Sequence, residues 1–211
     1  VYLVILAGGI VRMTGSGMGC PDWPKCFGFL IPPTERSQLE WKSNSEYNKN
    51  QIVIIDETLF YANDKFKSKN KFEMSNWSEY TKHDYSKFNV YHTWIEYINR
   101  LIGAIAGLSV LILFVNSLKF LKTKKIITGL SFLALIAIIF QAWLGKTVVD
   151  SNLLPYKITF HMVMALLIVY QILYLIFATK TTFKTQKYSR LFYKILCFGI
   201  ILSLFQIILG T

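Results

Sequence analysis

Four polar residues set in apolar stretches are the ones able to do chemistry: Glu96, Asn99, Arg100 and His161. In Glu96-Tyr97-Ile98-Asn99-Arg100-Leu101-Ile102-Gly103, the residues Glu96, Asn99, Arg100, Gly103 and Gly107 recur at offsets of three and four, which places them on one face of a helix. An acid and an arginine are costly near hydrocarbon and usually face a bundle interior or a cavity. Glu96 offers an acid–base or charge-stabilising group, Arg100 a planar donor fork suited to a carboxylate, and the glycines room for a flat ligand. The plainer alternative is an i,i+4 Glu96–Arg100 pair that only neutralises itself. In Thr159-Phe160-His161-Met162-Val163-Met164, His161 is the only histidine within an apolar stretch. Its imidazole could ligate a metal, with Met164 and Ala165 one turn on as a polarisable, compact wall. A hydrogen-bonded core histidine is the alternative.

A second constellation lies near the start: Gly8-Gly9-Ile10-Val11-Arg12-Met13-Thr14-Gly15-Ser16-Gly17-Met18-Gly19-Cys20-Pro21-Asp22-Trp23-Pro24-Lys25-Cys26, closed by Ile31-Pro32-Pro33. Its density of Gly and Pro predicts that a helix ends here in a tightly folded loop. Cys20 and Cys26 have five residues between them, which matches neither a zinc-type pair nor a c-type haem attachment, and no His is near. A short-loop disulfide is expected if the loop faces an oxidising compartment, the alternative being two reduced loop thiols. Cys197, in an apolar segment, is expected to be a buried small hydrophobe.

The elements that must position these residues are membrane spans. Of 211 residues 53% are hydrophobic, and they cluster at 101–115, 126–145, 157–178 and 191–209. The expected organisation is residues 1–14 as the truncated end of a first transmembrane helix, 15–90 as an extracytoplasmic loop, and 91–117, 126–146, 157–178 and 191–211 as transmembrane helices two to five, the last truncated. The net charge of +11 does not signal nucleic acid, because residues 15–92 carry ten basic and ten acidic side chains and the surplus lies elsewhere. Nine of the remaining basic residues, Lys119, Lys122, Lys124, Lys125, Lys180, Lys184, Lys187, Arg190 and Lys194, crowd two short connections without acids. That pattern places both connections in the cytoplasm and the long loop outside. The segment from Thr34 to Val90 is expected to be a solvated cover, with Gln51–Ala62 apolar enough to pack on the bundle or lie at the interface. Trp23, Trp41, Trp77 and Trp94 suggest contact with headgroups or a large apolar ligand, with ordinary interfacial aromatics as the alternative.

The Gly-rich signature and the Glu96–Arg100 element together resemble the haem A synthase family, integral membrane enzymes that oxidise a ring methyl of haem O to a formyl group and so make haem A for cytochrome oxidase. The resemblance implies an all-α integral membrane protein: a transmembrane helix bundle comprising the first four-helix half plus a fifth helix of an expected eight-helix protein, with a long extracytoplasmic loop. It implies a catalytic role for Glu96, a haem-binding role for Arg100 through a propionate, and His161 as ligand to the iron of the substrate haem. Asn99, counted with His161 and Arg100 among the haem-binding residues, stands where the family has the first histidine of the pair, so that either His161 acts alone on the iron or another residue substitutes. His92, two turns earlier, is about 10 Å away and too far to substitute; His83 lies in the loop without a matching role. Counting about 1.5 Å per residue from the outer helix ends puts Asn99 and His161 at similar depths, roughly 9–12 Å, so that one ligand could touch both. A cofactor haem b is expected in a C-terminal half beyond this chain, and Phe140-Gln141-Ala142-Trp143-Leu144-Gly145 and Phe205-Gln206-Ile207-Ile208-Leu209-Gly210 echo each other as a repeated architecture would. Implied partners are haem O synthase, cytochrome oxidase assembly factors and the lipid bilayer, in a bacterial cytoplasmic membrane.

Two other classes compete: a b-type membrane cytochrome in quinone-linked electron transfer, and a non-catalytic haem carrier or oxidase-assembly protein. The first wants paired axial histidines, and this chain offers one within an apolar span; Asn99 keeps the second open. The topology is tested by single cysteines introduced for labelling from the outer side. Position 65 is expected to react and position 122 to be protected, and the reverse would invert the assignment.

Overall fold

The computed structural model describes residues 1–81, 88–180 and 189–210. Its helices are α1 (Tyr2–Met13), α2 (Val90–Ser117), α3 (Lys125–Asp150), α4 (Pro155–Thr179) and α5 (Arg190–Leu209). Local chemistry sets their starts. Asn89 Oδ1 accepts from the backbone N–H of Tyr91 and His92 at 2.9 and 3.3 Å ahead of α2. Pro155 takes the first position of α4, and the Ser189 hydroxyl caps α5 by accepting from Phe192 N at 3.3 Å. Four of the helices, α2 to α5, are long and apolar enough to cross a membrane, while α1 has 12 residues. The chain is a membrane helix bundle, and His83, Lys184 and Lys187 lie outside the described residues.

Two compact units make up the chain: Val1–Ile5 with Gly103–Thr211, and Leu6–Ile102. In the first, α3 and α4 pack through small and polar residues, with Ser131, Ala134 and Ala137 buried. Side-chain amide and hydroxyl groups tie backbone across elements: Thr128 Oγ1 donates to Ser117 O at 2.7 Å and Gln171 Nε2 to Leu130 O at 2.9 Å. With no gain in moving an apolar side chain from lipid to protein, close backbone approach and such bonds hold spanning helices together. Leu111, Phe132, Ile139 and Phe177 point outward, as lipid-facing residues must. Cys197, expected to be buried, is a free thiol only half-buried on α5, a helix with no fully buried residue.

The second unit folds the loop far more tightly than a solvated cover would. Five short strands appear: β1 (Glu46–Tyr47), β2 (Ile52–Ile55), β3 (Thr58–Ala62), β4 (Phe66–Lys67) and β5 (Trp77–Glu79). They form an antiparallel β1–β4 pair and a three-stranded sheet in the order β2–β3–β5. Strands β2 and β3 make a hairpin with Ile54 opposite Leu59 and Val53 opposite Phe60. Its two-residue turn, Asp56-Glu57, has positive φ at both positions (46° and 62°), the handedness that matches strand twist.

Gln51–Ala62 supplies much of the core of this unit. Ile52, Ile54 and Leu59 bury on one side with Cys20, Cys26, Phe27 and Leu39. Val53, Phe60 and Ala62 bury on the other with Tyr47 and Trp77, against which Trp41, Phe66 and Phe72 pack. A sheet covered on both faces takes a continuous apolar run in place of alternation, which is why Ile52-Val53-Ile54-Ile55 reads without period. Trp41 and Trp77 therefore belong to this core. Trp94 donates its indole N–H to Pro33 O at 3.3 Å, and Trp23 is exposed.

Gly28 joins the signature to the sheet. It has φ +79°, and a Cβ there would lie 2.4 Å from Gln51 Cα. Gly28→Ala should therefore both strain the backbone, at about 1–2 kcal/mol for the left-handed conformation alone, and push the β2 end of the hairpin away. Limited proteolysis in detergent should show faster cleavage of the loop with the spans intact; an unchanged cleavage rate would show that this approach is not needed for the loop fold.

Candidate functional site

The face of α2 bearing Thr93, Glu96 and Arg100 carries the signature loop through a set of buried polar contacts. Glu96 is 3% exposed. Its Oε2 accepts the Cys20 backbone N–H at 2.8 Å, and its Oε1 pairs with Arg100 Nη2. Arg100 Nη1 donates to the carbonyls of Asp22 at 2.6 Å and Lys25 at 3.2 Å, and Nη2 also to that of Cys20 at 3.3 Å. Thr93 adds a hydroxyl bond to Gly19 O at 2.9 Å. These offsets of three and four residues are those of neighbours on one helix face.

Gly19 is what permits the contact. A Cβ on it would fall 2.3 Å from His92 O and 2.7 Å from Thr93 N, so loop backbone lies directly on helix backbone. Cys20 and Cys26 are bonded, closing the turn that supplies the carbonyls. Asp22 Oδ2 accepts from Gly28 N at 2.9 Å, and Tyr80 donates its hydroxyl to Pro21 O at 2.6 Å. Thr93, Gly19 and Asp22 are thus site residues that the sequence reading did not assign. Their signal was spacing: Thr93 precedes Glu96 by three.

Asn99 does not share these partners. It sits about 100° around the helix from Arg100 and faces α1, where a Cβ on Gly8 would be 4.0 Å from its Oδ1. That Oδ1 is buried without a hydrogen-bond partner among the described residues. The face expected to be single is wide enough to meet two neighbours, with the ion pair on the loop side and the amide on the α1 side. His92 contributes backbone to the Gly19 contact. Both Nη groups of Arg100 are already engaged by loop carbonyls and Glu96, so a carboxylate ligand would have to displace a backbone partner.

His161 belongs to the other unit, half-buried on α4 with its ring against Gly145 of α3. Its Nδ1 is buried and has no partner among the described residues. A histidine built into a core for its hydrogen bonds would not leave that atom unspent. The imidazole is thus a nitrogen donor within a span that no hydrogen bond at Nδ1 accounts for among the described residues. Among the described residues no group of three or more His, Cys, Asp or Glu side chains is placed to hold a bare metal ion.

Comparison with known proteins gives one family. The model of the cytochrome oxidase assembly protein family COX15-CtaA matches residues 1–211. The chain is similar to the heme A synthase of Ehrlichia canis (strain Jake), 28% identical over 81% of this chain and 43% of the relative. It is similar to the heme A synthase of Orientia tsutsugamushi (strain Boryong), 30% identical over 82% and 43%. The heme A synthase of Bartonella tribocorum (strain CIP 105476 / IBS 506) is 27% identical over 99% of this chain and 53% of its own length. The chain thus spans about half the length of the curated relatives it matches. No solved structure matches it.

Within the loop, burial pushes the Asp22 carboxyl above the usual Asp value of 3.8, against the N–H groups of Gly28 and Phe27 and the charge of Arg100, which pull it down. A carboxyl whose folded pKa is raised adds stability that is fully present below its unfolded pKa and lost as pH rises through the folded value. Asp22→Asn keeps an acceptor for Gly28 and removes the titration. Its melting temperature relative to the parent should rise from about pH 3.8 upward and level off once the folded carboxyl has ionised. A relative loss that grows with pH would mean that Arg100 outweighs burial.

Proposed function

The chain belongs to the COX15-CtaA family of cytochrome oxidase assembly proteins, and we propose that the protein of which it forms part is a haem A synthase. The match of the family over the whole chain carries this reading, supported by heme A synthases as relatives and by a histidine within a spanning helix. The substrate is haem O, and one ring methyl is taken to a formyl group by two successive oxidations and loss of water. The haem supplies the redox chemistry when bound. His161 faces its iron. The haem b cofactor belongs to the remainder of the protein, and haem O synthase and oxidase assembly factors are the partners that this activity requires. The loop unit lies on the extracytoplasmic side and the lysine-rich connections in the cytoplasm.

Glu96 has two conceivable parts, to take a proton or to stabilise positive charge beside the ring. Both of its oxygens already accept hydrogen bonds, which favours the second, since that part needs no partner to be released. Arg100 acts as the residue that holds the loop to α2 and pairs with Glu96. Asn99 is an acceptor in place of a ligand. It also sustains the reading of a haem carrier without catalysis, which the same experiment separates.

Full-length protein expressed with a haem O supply, followed by separation of extracted haems by mass, is the test. A formyl-bearing haem is expected; unchanged haem O retained by the protein would select the carrier. Glu96→Gln keeps acceptor capacity for Cys20 and removes the charge, so haem should bind while product falls by about 10²–10⁴-fold. His161→Ala should instead alter the haem spectrum and retention together with product. If Glu96→Gln were as active as the parent, Glu96 would be a loop-holding residue only.

A further inference from the structure

Two residues of α3 meet His161. A Cβ at Gly145 would lie 3.2 Å from Cε1 of the imidazole, 3.7 Å from Nε2 and 3.9 Å from Nδ1. One turn earlier, Gln141 donates Nε2–H to the backbone carbonyl of His161 at 2.9 Å. Four residues apart, Gln141 and Gly145 stand one above the other on the helix face that meets α4. We propose that Gln141 and Gly145 are the positioning residues of His161: the amide fixes the height and rotation of α4 at that residue, and the absent side chain fixes where the ring lies. The proposal deepens the haem A synthase reading and rests on its assignment of His161 to the iron.

The ring needs such a seat because it has no anchor of its own at Nδ1, which is buried and unpartnered among the described residues. Metal-bound histidines are ordinarily oriented through the nitrogen that does not touch the metal. Where that bond is missing, backbone placement and shape must do the orienting. A glutamine within a span is expensive, and this one leaves its Oε1 buried without a partner among the described residues while its donor goes to the one carbonyl that belongs to the histidine.

General helix adhesion is the competing explanation, and the molecule contains its own comparison. Gln171 of α4 donates to Leu130 O of α3 at 2.9 Å, an interhelical bond of the same kind that does not involve His161. The Phe140–Gly145 segment is also one copy of the sequence echo found again at Phe205–Gly210. Its glutamine and glycine are the two positions that touch the histidine.

The test uses full-length protein loaded with haem O and read by electron paramagnetic resonance and resonance Raman spectroscopy of the ferric state. The signal lost in His161→Ala defines the iron–His161 contribution. Gly145→Ala and the near-isosteric Gln141→Leu should each shift that signal and weaken haem retention by about 10–100-fold, as loss of a ligand's orienting partner does. Gln171→Leu should lower thermal stability to a similar extent as Gln141→Leu and leave the signal in place. An unmoved signal in Gln141→Leu, or an equal shift in Gln171→Leu, overturns the proposal in favour of adhesion. If Gly145→Ala does not accumulate, Gln141→Leu against Gln171→Leu still decides. A spectrum unchanged in His161→Ala would instead strike at the haem reading itself, and is recognisable because no His161 signal then exists to shift.

Discussion

Glu96 and Arg100 form an ion pair one helical turn apart, with the glutamate almost wholly buried, and the turn from Gly19 to Lys25 is arranged as its hydrogen-bonding shell. Removing two charges from water costs several kcal/mol per ion even after relaxation, and their attraction repays this only when the remaining donors and acceptors are matched. Here the loop does the matching: one backbone N–H completes the carboxylate and three backbone carbonyls complete the guanidinium. Neither side is stable in this form without the other. Loss of one charged partner would strand the other and cost about 3–5 kcal/mol, far more than an exposed pair of the same spacing is worth.

The constraint spreads from there into the loop. Cys20 donates to Glu96, accepts from Arg100 and is covalently joined to Cys26, so ionic and covalent restraints meet in one residue. Both half-cystines are part of the same apolar cluster as Ile52, Ile54 and Leu59, which makes the hairpin lean on the turn that the ion pair organises. The opposite face of that hairpin is filled by Tyr47, Phe60 and Trp77. A long insertion rich in Asn, Lys and Ser thereby acquires a fixed fold from a dozen apolar side chains placed on the two faces of three short strands.

What could be read from sequence follows from which signals are local. Spanning helices announce themselves by apolar length, and the two half-cystines by their place in a Gly- and Pro-dense turn. The hairpin did not, because a strand buried on both faces has no alternation to detect, and its Asp56-Glu57 turn lacks the Asn-Gly or Asp-Gly pair that marks such connections. The partners of Arg100 were equally hidden. Three of them are backbone carbonyls, which every residue possesses, so no choice of residue type signals the contact. Helix periodicity put Asn99 and Arg100 on one broad face; it could not say that this face meets two neighbours.

Asn99 bears on how the proposed chemistry is to be understood. Its Oδ1 is a buried acceptor beside Gly8 with no donor among the described residues, a state that costs about 1–3 kcal/mol until something supplies one. An amide oxygen offers an iron little compared with an imidazole such as that of His161 on α4. Electron-transfer haems are held in low-spin form by two strong protein ligands, whereas oxidative chemistry wants a position that the protein leaves free. On the proposed reading, an amide in place of a second imidazole is the pattern of the oxidative class and not of the electron-transfer one. The two polar groups thus differ in kind, each within its own unit: the imidazole of His161 is seated by α3, and the amide of Asn99 is an uncommitted acceptor facing α1.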